Sequence, residues 1–381
     1  MGKIYFDHSA TTPVHPDVAE EMFRCVAGIF GNPSSIHSFG REAKKAVDAA
    51  RSRVAESIGA KREEIVFTSG GTESDHLAIK GAAYANRKKG NHIITTAVEH
   101  HAVLNTCKAL EKEGFELTVL PVDGYGMVNP GDLAGAIKDN TILITVMHAN
   151  NEVGTIQPIS EIGEIAREKG ILFHTDAVQS IGKIPVDVND LKVDLLSISG
   201  HKIYAPKGIG ALYIKQGITW RPFNFGGGQE RERRPGTENV PGIVALGKAV
   251  ELAAGNLAEE SARLTVLRDK LIKGITERID HVKLAGHPSL RLPNNVNFVF
   301  EYIDGGTMLL NLDMHGVAAS SGSACSTGSV NPSHVLLAMG IPRTMAHGSL
   351  RLTLGMVNKE KDVDEFIDIM PGIIEKLRSR V

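Results

Sequence analysis

Cysteine is scarce in this chain: Cys25, Cys107 and Cys325 are odd in number and far apart. That pattern excludes a disulfide framework and fits a reducing compartment with at least one thiol free to react. An excess of charge of one sign is also lacking, with 42 Lys and Arg against 44 Asp and Glu for a formal net charge of −2. Recognition of nucleic acid rests on a basic excess or stripe, so no direct nucleic-acid partner is expected. No apolar run approaches the roughly 18–20 residues that span a bilayer, and no membrane association is expected. The opening MGKIYFDHSATTP has no basic flank followed by an apolar stretch, so a secretory signal is not read there and a cytoplasmic location is the expectation. Internal repeats and low-complexity segments are missing too. What is present is ordinary for a globular protein: 42% hydrophobic and 23% charged residues over 381 positions, enough chain for two domains.

Over roughly the first 260 residues, helical patterns alternate with short β-branched runs, which predicts an α/β fold with a mostly parallel sheet flanked by helices. In REAKKAVDAARSRVAESIG, the residues Ala43, Val47, Ala50, Val54 and Ile58 fall on one helical face, and Gly59 suits the carboxyl end. EIVFTSG, HIITTAV, ELTVLPV, TILITVMHA, ILFHTDAV and VDLLSIS read as strands. Most are apolar without alternation, as strands covered on both faces are. A long helical pattern starts near residue 240 (GIVALGKAVELAAGNLAEESARLTVLRDKLIKGI), followed by the strands NVNFVFEY and SLRLTL and a last helix in VDEFIDIMPGIIEKLRSR. The change of pattern predicts a large domain over 13–257 and a smaller α+β domain made of 1–12 and 258–381.

Open α/β sheets bind ligands at the carboxyl ends of their strands. After EIVFTS, Gly70-Gly71-Thr72 opens a helix, either as a simple turn or as a cradle of N–H groups for a phosphate. After ILFHT comes Asp176, either a helix cap or a partner for the protonated nitrogen of a pyridine ring. After VDLLSIS comes Gly200-His201-Lys202. Lysines are ordinarily solvated, but an amine at the end of an apolar strand faces a cleft, where desolvation favours Schiff-base chemistry. Each feature is ambiguous alone; their order is informative.

That order resembles the aspartate-aminotransferase fold of pyridoxal-phosphate enzymes (fold type I, class V aminotransferases), and more closely the cysteine desulfurases of the NifS/IscS type. The likeness runs nearly end to end through FDHSATTPV, FGNPSSIHSFG, VFTSGGTES, VEHHAVLNT, HANNEVGTIQPI, HTDAVQSIGK, SGHKIYAPKGIGALYI, GGGQERERRPGT, PNNVNFVF, SSGSACS and AHGSLRLTLG. It implies pyridoxal 5′-phosphate as cofactor and L-cysteine as substrate. Lys202 would hold the cofactor covalently and then shuttle protons. Asp176 would pair with the pyridine nitrogen, Gln179 with the phenolic oxygen, and His100 would lie over the ring and act as an acid or base. Gly71, Thr72, Ser199 and His201 would bind the phosphate. Asn151 and Arg351 would hold the substrate carboxylate, Asn151 also lying against the cofactor.

The resemblance further implies a homodimer in which Thr237 reaches the phosphate of the neighbouring subunit. Where the family more often has Arg-Ser-Gly-Thr, this chain has Arg234-Pro235-Gly236-Thr237, and Pro235 removes one N–H donor from the loop. Cys325 lies in the small-residue run SSGSACSTGSVNPS, a loop that suits a thiolate moving between active site and acceptor. It would take the sulfur as a persulfide, leaving alanine. The SSGSAC form resembles the subgroup that serves iron–sulfur cluster assembly and tRNA thiolation, so an iron–sulfur scaffold protein or another sulfur acceptor is the expected partner. Docking in that subgroup involves a tail beyond the last helix, and the sequence ends at LRSRV. Cys25 and Cys107 sit in helical patterns and read as packed residues.

Three rival readings stand beside this one. The scaffold could run another pyridoxal-phosphate reaction, such as that of a selenocysteine lyase or an aminotransferase. It could be a sulfur-transfer scaffold protein whose catalytic site has decayed. A metalloenzyme using His100, His101, His148 and His174 lacks the helical i, i+4 ligand spacing, and no metal is expected.

Overall fold

The computed structural model describes residues 3–321 and 332–379, so Cys325 and the small-residue run about it lie outside the described residues. In chain order the elements begin with β1 (Ile4–Tyr5), α1 (Pro16–Gly28), α2 (Ser38–Glu56), β2 (Ile65–Thr68), α3 (Gly71–Asn86), β3 (His92–Thr96), α4 (His101–Lys112) and β4 (Glu116–Leu120). Then come α5 (Pro130–Ala136), β5 (Thr141–Thr145), α6 (Ile159–Glu168), β6 (Leu172–Asp176), β7 (Leu195–Ser199), β8 (Gly210–Ile214) and α7 (Val240–Gly255). The remainder is α8 (Leu257–Arg278), β9 (Val282–Ala285), β10 (Asn295–Phe300), α9 (Gly305–Met314) and β11 (Val317–Ala318). The chain closes with α10 (His334–Ala338), α11 (Arg343–Ala346), β12 (Ser349–Thr353) and α12 (Glu360–Arg378).

Seven strands form the main sheet in the order β2-β8-β7-β6-β5-β3-β4. Every residue of β2, β3, β5, β7 and β8 is buried, which accounts for their unalternating apolar sequences: helices cover both faces. β8 runs antiparallel to both β7 and β2. Sequence patterning did not single out this strand. Residues 200–209 are too few for the helical crossover a parallel pair needs, so the chain turns straight back.

The long helical pattern after residue 240 is not one helix. It breaks at Asn256 into α7 and α8, which diverge by 72°. Gly255 and Asn256 are residue types that end helices. No single described helix is long and apolar enough to cross a membrane. Beyond the break, β12-β10-β9 form an antiparallel sheet whose Val296, Phe298, Phe300, Leu350 and Leu352 share a core with Phe366 of α12. Phe6 joins that core from the amino terminus, and its carbonyl accepts the Thr353 N–H at 2.8 Å.

One buried ion pair pins the loop that leads to Thr237. Arg51 of α2 donates to both carboxylate oxygens of Glu230 at 2.7 and 2.6 Å, and each side chain is 3% exposed. Glu230 also accepts the Phe67 N–H at 2.9 Å. It holds a left-handed backbone (φ 49°), as do Arg231 and Glu232. Removing one partner leaves an uncompensated buried charge, so Glu230→Ala is expected to cost about 3 kcal/mol of unfolding free energy in urea titrations. Arg51→Met combined with Glu230→Leu should recover much of that loss.

Candidate active site

The carboxyl ends of β2, β6 and β7 converge on a cleft of about 260 Å³. At the end of β2, Gly70 has φ +153°, and a Cβ on Gly71 would stand 2.9 Å from Val178 Cγ2 and 3.4 Å from Ser199 Cβ. Glycine here lets the start of α3 come this close to Val178, in the turn after β6. Its first N–H groups and positive dipole end then remain for an anion. Gly71, Thr72, His100, Asn151, Asp176, Gln179, Ser199, His201, Lys202 and Arg351 all line this one cleft. Cys325 lies outside the described residues. Thr237 does not line this chain's own cleft; it is exposed on a loop tied to α3 by the Arg234–Glu73 pair at 3.0 Å. Pro235 leaves no gap in that loop, since the next N–H, of Gly236, donates to Gln229 Oε1 at 3.0 Å.

Lys202 follows β7, and its ammonium donates to the carbonyls of Ser9 and Ala10, the latter at 2.6 Å. Gln179 Nε2 donates to the same Ser9 carbonyl at 3.1 Å. Asp176 ends β6 only 5% exposed, with Oδ1 accepting the Val178 N–H at 2.9 Å. Burial pushes its carboxyl up to about 6, against the opposing effects of that hydrogen bond and of Lys202. Capping its own turn and facing the cleft are therefore both true of Asp176.

His100 caps α4: its Nδ1 accepts the Ala102 N–H at 3.1 Å, which leaves the proton of the neutral ring on Nε2. Burial, then Lys202 and His101, lower it to about 4, so the ring is neutral at pH 7. Burial and three lysines, Lys202 first, likewise bring His201 down to about 4, with its Nδ1 3.2 Å from Thr11 Oγ1. Arg351 lies on β12 at 2% exposure. Its Nη1 donates to the Asn151 carbonyl at 3.2 Å and its Nη2 to Asp7 Oδ1 at 2.9 Å.

Of the other histidines, His101 is exposed at the start of α4, its ring 4.6 Å from that of His334. His174 is fully buried, held between Thr145 Oγ1 at 2.8 Å and Ser197 Oγ at 3.0 Å. Cys25 and Cys107 are buried free thiols on α1 and α4. Sequence reasoning missed Asp7 and Asp75. Asp75 stands three residues after Thr72 on α3, a helical spacing that puts both on one face, and that spacing was the available signal.

Gln179 Oε1, Ser9 Oγ and Arg351 Nε are buried without a hydrogen-bond partner among the described residues. Buried polar atoms are normally satisfied, so these mark groups a ligand completes. An amine, a carboxylate, an amide oxygen and a glycine-turn anion cradle in one cleft fit an aldehyde-bearing pyridine phosphate.

Fold and cleft together define a class-V aminotransferase, a family of pyridoxal-phosphate-dependent enzymes whose model matches residues 4–366 under the description "Aminotransferase class-V". The chain is 57% identical over 376 residues to cysteine desulfurase IscS of Methanosarcina thermophila, covering 99% of this chain and 93% of that protein. A solved NifS-like protein superposes with a TM-score of 0.93 at 40% identity, covering 98% of this chain and all of that one. The solved structure of SspA in complex with cysteine gives 0.82 at 40% identity over 92% and 98% of the two chains. Within the class-V family, the chain belongs to the cysteine desulfurases.

Proposed function

We propose that this enzyme takes the sulfur of L-cysteine onto Cys325 as a persulfide, releases L-alanine, and passes the sulfur to an iron–sulfur scaffold protein or to tRNA thiolation. The observation that carries this reading is the convergence of Lys202, Asp176, Gln179 and Arg351 on one cleft, together with cysteine in the solved complex of a 40%-identical relative. Pyridoxal phosphate, when bound, supplies an electron sink for the substrate's α-carbon.

The chain's own residues do the rest. Asp176 pairs with the pyridine nitrogen and Gln179 offers its amide to the phenolic oxygen. Gly71, Thr72, Ser199 and His201 hold the phosphate. Asn151 and Arg351 orient the substrate carboxylate, for which Arg351 Nε has no other partner among the described residues. Lys202 carries the α-proton, and His100 presents Nε2–H to the cleft. The Cys325 thiolate attacks the substrate sulfur: the C–S bond breaks, an S–S bond forms, and the carbon side leaves as alanine once protonated.

The active form is a homodimer, with Thr237 reaching the partner's phosphate. Its exposure supports this, as do the exposed apolar side chains Phe23, Phe30, Ile36 and Phe225. The free thiols Cys25 and Cys107 suit the reducing cytoplasm in which we place it.

Mass spectrometry of the holoenzyme after exposure to L-cysteine tests the proposal. Cys325 is expected to gain one sulfur atom, and Lys202→Ala to show none. Cys325→Ala should retain the absorbance of the lysine-linked cofactor while losing the persulfide. Steady alanine release without any persulfide on Cys325 would overturn the mechanism.

A further inference from the structure

Directly behind Asp176 lies an acid to which the proposed reaction assigns no role. Asp75 of α3 is 1% exposed and lines the cleft. One side-chain oxygen of Asp75, one of Asp176 and one ring nitrogen of His100 all lie within 4.8 Å of one another. Asp75 Oδ1 has no hydrogen-bond partner among the described residues. The nearby His174 Nε2, 3.7 Å away, is already engaged by Ser197 Oγ.

Two buried carboxylates this close do not both ionise without a cation for each. Asp176 has the stronger claim to the charge: it accepts the Val178 N–H and feels Lys202. Asp75 has neither. We propose that Asp75 is a neutral carboxylic acid and a positioning residue, leaving Asp176 as the single anion of the pair to meet the cofactor's pyridine nitrogen. This rests on the reading of Asp176 given above and goes beyond it by assigning the proton.

Around Asp75 stand Asp176 and His174 of β6, Cys107 of α4, and Glu99 and His100 from the turn before α4; Ser197 of β7 hydrogen-bonds its carboxyl and is the one group among them that opposes the proton. His174, lowered by burial to about 3, supplies no cation at neutral pH. Glu99 is buried too, its Oε1 accepting the Thr96 hydroxyl at 2.7 Å and the Met147 N–H at 2.9 Å, and burial raises it to about 8. Burial first and the Asp176 charge second drive the Asp75 carboxyl well above the usual carboxylate range, outweighing the hydrogen bond from Ser197. A second ionised acid here would also offer the pyridine proton a competing site.

Infrared spectroscopy of the holoenzyme, carrying isotope-labelled aspartate, tests the assignment at neutral pH. Labelling aspartate alone separates Asp75 from Glu99. A carbonyl stretch of a protonated aspartic acid is expected in the wild type and should vanish in Asp75→Asn. Its absence from the wild type, or its persistence in Asp75→Asn, would overturn the proposal. The wild-type measurement decides even where a variant does not fold.

Cofactor affinity gives a second readout. Asparagine keeps a neutral donor, so Asp75→Asn should change it less than about 3-fold, whereas Asp75→Ala should weaken it at least about 10-fold. Equal weakening in both variants would mean that the charge of Asp75 matters, contrary to the proposal. Failure to bind pyridoxal phosphate at all, read from absorbance in the same samples, would refute the functional reading instead; the infrared band reports the Asp75 proton independently of it.

Discussion

Lys202→Ala is expected to lower alanine release from L-cysteine by roughly 10⁴-fold, because the proposed mechanism makes the same amine both the covalent anchor and the proton carrier. The site is built around that amine. Two main-chain carbonyls, of Ser9 and Ala10, accept from it, and the N-terminal segment is held in turn by Thr12, whose N–H and hydroxyl both donate to the His201 carbonyl at 3.0 Å. A buried lysine, Lys183, lies near enough to feel its charge, lowered to about 7 by burial and then by Lys202 itself. Neighbouring amines without water resist carrying two charges, which favours one of them reacting as a free base. Lys202→Arg is the informative control. It keeps a cation near the Ser9 and Ala10 carbonyls but offers no amine, so it should be as inactive as the alanine variant. Loss of the lysine-linked absorbance together with loss of alanine would tie both roles to one atom; substantial residual turnover in Lys202→Ala would refute them.

Arg351→Ala should reduce kcat/KM for L-cysteine by about 10³-fold, most of it as a higher KM, since two charge-assisted hydrogen bonds to a buried carboxylate are lost. Arg351→Lys should recover little, because a single ammonium cannot reproduce the fork that spans Asn151, Asp7 and the substrate. The variant has a second consequence. Burial raises the Asp7 carboxyl while Arg351 opposes that rise, so without the guanidinium Asp7 takes up a proton more readily. Arg351→Ala combined with Asp7→Asn removes that stranded acid and should restore stability without restoring KM. Steady-state kinetics and thermal unfolding of the single and double variants separate the two effects. An unchanged KM in Arg351→Ala would remove Arg351 from substrate binding.

Most of the cleft is legible in the amino-acid sequence because its parts are local. A strand that ends in Gly70-Gly71-Thr72, another that ends in Asp176 and a third followed by Lys202 are each visible within a few residues, ambiguous singly and informative in their order. The parallel sheet then brings their ends together. Arg351 and Asn151 are legible only through resemblance, since an arginine on a strand pattern has no local mark of function.

Other features lie beyond any local pattern. β8 is hidden because its direction depends on the shortness of the connection before it, and the bend at Asn256 because both helices it joins are regular. His100 and His101 are adjacent and alike in sequence; only the start of α4 turns one into the cleft and the other to solvent.

The sequence by itself determined the strand ends, the glycine turn and the places of Asp176 and Lys202 at those ends, because strand length and turn chemistry are properties of short segments. Tertiary structure alone decided which charges meet. Arg351 finds Asp7 across 344 positions, Arg51 finds Glu230 across 179, and Asp75 is placed behind Asp176 from another element of the sheet's surroundings. Charge state in a buried site depends on which neighbours and how little water surround it, and neither is a property of the residue's place in the chain.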